Sequence, residues 1–175
     1  ESCMGCPYGV RPQVTLPRVA IVGRPNVGKS SLMNRMVGRR VSIVEPTAGV
    51  TRDRVSVVLR QNDYAFELVD TGGLGLVDEA LLKRHIEEQI AVAIDTADLI
   101  LFLVDGKEGP VPTDDMVARR LRPLRKKVVL VANKMESYYD EVAASIWQRL
   151  GFGDPIVISA KEGYGIHDLM ERIGE

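Results

Sequence analysis

The sequence predicts an α/β fold, with a mostly parallel six-stranded sheet, helices on both faces and one antiparallel edge strand. Three observations carry this. Short β-branched runs alternate with helical patterns along the 175 residues, the rhythm of βα units. The runs LILFLV and VVLVA are apolar at every position, as strands covered on both faces require. DRVSVVLR and YAFELV are separated only by QND, which suits an antiparallel hairpin at a sheet edge.

The elements follow in order. PRVAIV opens the sheet and leads into the helical stretch KSSLMNRMV. The hairpin then gives way to EALLKRHIEEQIAVAI, where Leu82, Ile86, Ile90, Ala93, Ile94 and Ala97 recur at three-to-four spacing and predict one buried helix face. DLILFLV precedes the helix DDMVARRLRPL, KKVVLVA precedes the helix DEVAASIWQRL, and PIVIS precedes the helix HDLMERI. With 45% apolar and 27% charged residues, the composition fits one globular domain over residues 17–175, preceded by an irregular tail over 1–16.

Charge and cysteine usage exclude several classes. The 23 Lys and Arg against 24 Asp and Glu leave a net charge of -1, so a nucleic-acid partner has to use a local patch. The apolar runs fall far short of the ~20 residues that span a bilayer, so no membrane partner is expected. Both cysteines, Cys3 and Cys6, lie in the tail, which leaves the core without a disulfide framework and suits a reducing cytoplasm. Their CxxC spacing is half of a zinc site, but a closed site takes about four ligands. Neither His85 nor His167 stands at ligand spacing.

Every chemically suggestive stretch directly follows a strand: GRPNVGKS, DTGG, NKME and SAK. In an open parallel sheet, ligands bind outside the carboxyl ends of the strands, so these four stretches are expected to converge. Gly23, Arg24, Pro25, Asn26, Val27, Gly28, Lys29 and Ser30 read G-x-x-x-x-G-K-S, the P-loop pattern, between a strand and a helix start. This is the pattern of the P-loop NTPase fold class. The loop's N–H groups would wrap a β-phosphate at a helix N-terminus, with Ser31 in the first turn behind them. Lys29 would reach the β- and γ-phosphates, and the Ser30 hydroxyl would ligate Mg²⁺. Asp70 ends the third strand and would hold Mg²⁺ through water. Gly72 and Gly73 would let a backbone N–H approach the γ-phosphate.

The loop VEPTAGVTRD is rich in turn residues and suited to closing on a ligand. Thr51 is the first choice for the threonine that caps Mg²⁺ and senses the γ-phosphate, with Thr47 as the rival. At the other end, NKME resembles the guanine-binding pattern N-K-x-D. There Asn133 would contact the purine, Lys134 would pack along it, and Glu136, one methylene longer than the usual Asp, would accept from N1–H and N2–H₂. In SAK, the Ala160 N–H would contact guanine O6, Ser159 would brace the turn and Lys161 would flank the base.

Together GRPNVGKSSLMNR, the GVTRD loop, LVDTGGL, ADLILFLVDGKEGP and LVANKME resemble the first GTPase domain of the Der (EngA) family, over about residues 17–174. These are bacterial and plastid proteins with two tandem G domains and a C-terminal RNA-binding-like domain. The resemblance implies a Ras-like G domain that binds GTP and GDP with Mg²⁺ and hydrolyses GTP. It also implies a cytoplasmic role, or a plastid stromal one, in assembling the large ribosomal subunit. The other domains of such a parent chain lie outside this sequence. Three features depart from the family: Glu136 replaces Asp, Ala48 replaces a proline, and no second G domain follows.

Better-known GTPases orient water with a glutamine after D-x-x-G. Here that place is Leu74. The family is thought to compensate with K⁺, and Asn26 matches the asparagine that ligates it in potassium-activated relatives. Arg52 is either a second source of positive charge, once the loop closes, or a solvated arginine. The cluster RRLRPLRKK from Arg119 to Lys127 offers a local patch for rRNA phosphates, or else a solvated helix end. The rival functions are an ATP-dependent kinase, for which no arginine-rich lid is present, and a nucleotide-dependent binding module with negligible turnover, for which Leu74 speaks.

Overall fold

The computed structural model describes residues 15–38, 55–61, 63–72, 79–136 and 144–175. Six strands form one sheet in the order β2-β3-β1-β4-β5-β6. They are β1 (Arg18–Val22), β2 (Val55–Gln61), β3 (Tyr64–Asp70), β4 (Leu99–Asp105), β5 (Val128–Asn133) and β6 (Ile156–Val157). Only β2 runs antiparallel, paired with β3 from Val55 opposite Asp70 to Gln61 opposite Tyr64. That register leaves a two-residue hairpin loop, as the short QND connection requires.

The alternating strand faces build two cores. On one side, Val19 and Ile21 of β1, Leu101 and Leu103 of β4, and Val129 and Val131 of β5 pack with α1 (Lys29–Gly38) and the C-terminal helix α4 (Ile166–Gly174). On the other, Ala20, Val22, Ile100, Phe102, Val104 and Leu130 pack with α2 (Glu79–Thr96) and α3 (Pro112–Leu121). Both faces of the central strands are thus covered, which accounts for runs with no polar position.

Three local expectations are corrected. Ile94 of α2 is 44% exposed, whereas Ile86, Ile90 and Ala93 are fully buried; the apolar stripe is narrower than the periodicity suggests, and Gln89 at 2% exposure lies within the packed face. The helix expected to run through Arg122-Pro123-Leu124 ends at Leu121 and continues as a 3₁₀ turn over Arg122–Lys127. Pro123 has no N–H for the α-helical ladder, although Arg122 before it keeps helical backbone. Within DEVAASIWQRL the described part, Ala144–Leu150, is also 3₁₀. It nonetheless buries Trp147 and Leu150 against the second core.

Strand register brings the four suggestive stretches together. Ile21 pairs with Asp70, Val22 with Phe102, and Asp105 with Asn133. The segments after β1, β3 and β5, and that after β6, whose Val157 pairs with Ala132, therefore leave the sheet at the same end, joined there by the segment after β4. No helix among the described residues is long and apolar enough to cross a membrane.

Candidate functional site

The phosphate end is built by β1 handing its chain to α1. Asn26 and Gly28 take positive φ, 68° and 99°, which curls the backbone into a concave loop. At Gly28 a side chain would also collide with Nδ2 of Asn133, so glycine is required on two counts. Val27 is fully buried and pins the loop to the core, while Asn26 stands exposed at the rim beside Pro25.

Lys29 is 9% exposed, and its ammonium donates to the carbonyls of Gly23 (2.8 Å) and Arg24 (3.0 Å). Burial lowers its pKa to about 8; Asp70 works against that shift and Arg24 adds to it. The Ser30 hydroxyl donates to Asp70 Oδ2 at 3.5 Å, and Asp70 Oδ1 accepts the Gly72 N–H at 2.9 Å. Burial pushes the Asp70 carboxyl above the usual range, opposed by the Gly72 N–H, Lys29 and Ser30. Ser30 and Asp70 are hard oxygen donors side by side next to the P-loop lysine, a donor set that fits Mg²⁺. A Cβ on Gly72 would come within 2.5 Å of the Lys29 chain, so the backbone after Asp70 lies against the lysine.

The Arg24 side chain turns away from the loop. It pairs with Glu108 at 2.7 Å and with fully buried Asp114 at 3.5 Å, tying the P-loop to α3. Burial raises the Asp114 pKa, against the Val111 N–H and Arg24. Ser31 is exposed on the first turn of α1.

The base end is assembled around Asn133, which is 2% exposed. Its amide donates to the Val27 carbonyl at 2.9 Å, and its carbonyl accepts the Ala160 N–H at 2.9 Å. One side chain thereby joins the P-loop to the SAK turn. A carboxamide has a second N–H and a second lone pair, so a contact to a purine remains available. The Ala160 N–H expected at guanine O6 is held by Asn133 in this state. Lys134, at φ 66°, donates to the Asn26 carbonyl (2.8 Å) and to Asp105 Oδ2 (2.7 Å). Glu136 and Lys161 are exposed at the rim. The Ser159 hydroxyl accepts the Glu162 N–H at 3.1 Å across the turn.

Two contributors were not anticipated. Asp105 lies at the end of β4, the same kind of position as the four motifs, and that placement was a usable signal. Burial, the largest influence on it, raises its pKa, but the Lys134 ammonium and the N–H groups of Glu108 and Lys107 outweigh it and hold the carboxyl low. Arg35, which reaches the SAK turn from α1, carried no signal beyond an ordinary basic residue near a helix end. Thr47, Thr51, Arg52, Gly73 and Leu74 lie outside the described residues, as do Ala48, Cys3 and Cys6. Of the basic cluster, Arg120 pairs with Glu87 at 3.0 Å and Arg122 donates to the Leu150 carbonyl at 3.0 Å, while Arg119 is exposed.

Comparison with known proteins bears on the same site. The model of a family described as "50S ribosome-binding GTPase" matches residues 18–134, from β1 through Lys134. GTPase Der of Clostridium botulinum is 46% identical over 159 residues, 91% of this chain and 36% of that protein. GTPase Der of Clostridium kluyveri is 45% identical over the same length. The chain thus spans little more than a third of these relatives. Among solved structures, an Aquifex aeolicus Era variant bound to GDP·AlF4⁻ superposes with a TM-score of 0.69 at 32% identity, covering 89% of this chain and 55% of that one. The G domain of the T. maritima FeoB iron transporter gives 0.64 at 25% identity, covering 90% and 96%.

Proposed function

The chain belongs to the 50S ribosome-binding GTPase family, and from that premise we propose that it binds guanine nucleotide and hydrolyses GTP to GDP and phosphate. We place the working G domain at residues 17–175. The observation that carries the reading is the Asn133 side chain, which locks the phosphate loop through Val27 to the base turn through Ala160. A P-loop alone fits many nucleotides. This bridge sets a purine pocket at a fixed distance from the phosphates.

In this reading Lys29 leaves the Gly23 and Arg24 carbonyls to neutralise the β- and γ-phosphates, while the loop N–H groups orient them. Ser30 and Asp70 would hold Mg²⁺, which supplies charge neutralisation of the bridging oxygens when bound. Gly72 keeps the backbone after Asp70 free of side-chain bulk beside Lys29. Thr51, with Thr47 as the rival, is the choice for sensing the γ-phosphate, and the Gly73 backbone for approaching it. Asn26, whose carbonyl already accepts from Lys134, would hold K⁺ in this reading, and the ion would supply positive charge that Leu74 cannot. Glu136 reads N1–H and N2–H₂, with Ser159, Ala160 and Lys161 enclosing O6 and the ring edge.

The biological setting proposed is large-subunit ribosome assembly in the cytoplasm, in the company of domains outside this chain. The family description and the Der relatives support it. An Era structure in complex with MgGDPNP and part of 16S ribosomal RNA shows a similar domain in a protein that meets rRNA. The deciding experiment is competition of a labelled guanine nucleotide by GTP and by ATP, on the parent chain and on Lys29→Ala. The expected result is displacement by GTP alone, and loss of tight binding in the variant. Equal displacement by ATP would end the guanine reading, and unchanged GDP affinity in Lys29→Ala would end the site assignment.

A further inference from the structure

We propose that Arg35 is a positioning residue for base recognition: from α1 it holds the SAK turn at the height where its backbone meets the six-position of the purine. The inference rests on the guanine reading above. The Arg35 Nε donates to the Ala160 carbonyl at 2.7 Å, and its terminal Nη2 donates to the Lys161 carbonyl. Two consecutive carbonyls of one turn are thus gripped by one planar guanidinium. The fork geometry of arginine matches that pair, and a lysine ammonium can serve only as a single point donor.

Besides Arg35, three restraints are internal to the turn, among them the Glu162 N–H on the Ser159 hydroxyl, and one, Asn133, reaches the phosphate loop through Val27. Ser159 and Tyr164 pair across its base, with the Ser159 N–H donating to the Tyr164 carbonyl at 2.9 Å, and the Gly163 N–H closes it on the Ser159 carbonyl at 2.7 Å. These bonds shape the turn internally. Asn133 holds the Ala160 N–H, the very group that base recognition requires. With Asn133 also engaged to a purine, the carbonyls of Ala160 and Lys161 give the turn its direct anchor to the phosphate helix. Arg35 supplies that anchor from the helix that begins with Lys29 and Ser30, so phosphate and base registers are set by one rigid element.

The chemistry separates this role from general support. An arginine that only stabilises the fold affects every nucleotide alike. An arginine that sets the Ala160 N–H affects discrimination at the six-position and leaves the phosphate contacts in place. The test measures GDP and 6-thio-GDP affinities for the parent chain, Arg35→Gln and Arg35→Lys. 6-Thio-GDP keeps N1–H and N2–H₂ but offers sulfur, a weak acceptor, in place of O6.

The expected result is a parent that prefers GDP, and an Arg35→Gln variant that loses roughly tenfold in GDP affinity, the scale of one charge-assisted bond. That variant should bind 6-thio-GDP nearly as the parent does, so its preference collapses, and Arg35→Lys should recover part of it. Equal losses for both nucleotides, or an unchanged preference in Arg35→Gln, would overturn the positioning role while leaving guanine recognition intact. A parent chain blind to the exchange of oxygen for sulfur would overturn both. Urea unfolding of the nucleotide-free variants shows whether the turn survives; if Arg35→Gln is unfolded, the same two ratios are read on Arg35→Lys, where an unchanged preference is equally fatal.

Discussion

Lys29 shows how a single side chain sets opposing demands. Its pKa is about 8 in the folded chain against an ordinary 10.5, because burial disfavours its charge. Below about pH 8 the lysine is charged in both folded and unfolded chains, and its burial is a standing cost. Between 8 and 10.5 the folded chain releases a proton that the unfolded chain keeps, so stability contributed by this group rises with pH across that window. Phosphate binding needs the charged form and runs the other way. GDP affinity should hold steady near neutrality and fall above about pH 8, by up to about tenfold per unit, while the nucleotide-free chain gains resistance to urea. Titrating both between about pH 7 and 9 checks the pair, and a flat affinity beside rising urea resistance would mean that Lys29 does not meet phosphate. At the base, Glu136→Gln should lower GTP affinity and raise that for XTP, since xanthine offers a carbonyl where guanine has an amine. A variant that still prefers GTP as strongly as the parent would show that Glu136 does not read the base.

At the scale of elements, the site is a set of strand ends and loops cross-linked by buried polar groups. Asn133→Ala would leave the Val27 carbonyl and the Ala160 N–H without their partner. Each orphaned buried group costs about 1–3 kcal/mol, so the variant should lose about 2–6 kcal/mol in urea unfolding as well as nucleotide binding. Normal stability with lost binding would instead mean that the bridge forms only with ligand. Elements of this kind were readable in the sequence where one physical rule acted alone. β4 and β5 are apolar throughout because both faces are covered, and the glycines of GRPNVGKS stand where the backbone must curl. The rest depended on competition. Pro123 ended α3 early, and the described part of the expected helix around Trp147, Ala144–Leu150, is 3₁₀. Arg35 was invisible because its partners are carbonyls 125 and 126 positions away, and a carbonyl has no signature in sequence. Asp105 was visible in principle, but an acid at a strand end was not set beside the lysine that holds it.

For the whole molecule, the question is whether the domain turns GTP over by itself. If K⁺ supplies the charge that a glutamine or arginine supplies elsewhere, GTP hydrolysis should be faster in KCl than in NaCl at equal ionic strength, and Asn26→Ala should erase the difference. An arginine finger is worth about 10³–10⁵ in rate, so even a modest share of that range is measurable in single turnovers. Equal rates in both salts, with parental turnover in Asn26→Ala, would leave Arg52 or a partner as the source of charge.

Asn26 and Lys134 are the two non-glycine residues among those described whose backbones take positive φ, and the side chain of one is bonded to the carbonyl of the other. For lysine that conformation costs about 1–2 kcal/mol, which glycine would not incur. A breeder of heat-resistant variants, selecting on melting alone, would find Lys134→Gly attractive on backbone grounds and would thereby release Asn26, Asp105 and the rim of the purine pocket together. Durability and use are in conflict at that position, so selection for robustness in this domain has to be run with nucleotide in the tube.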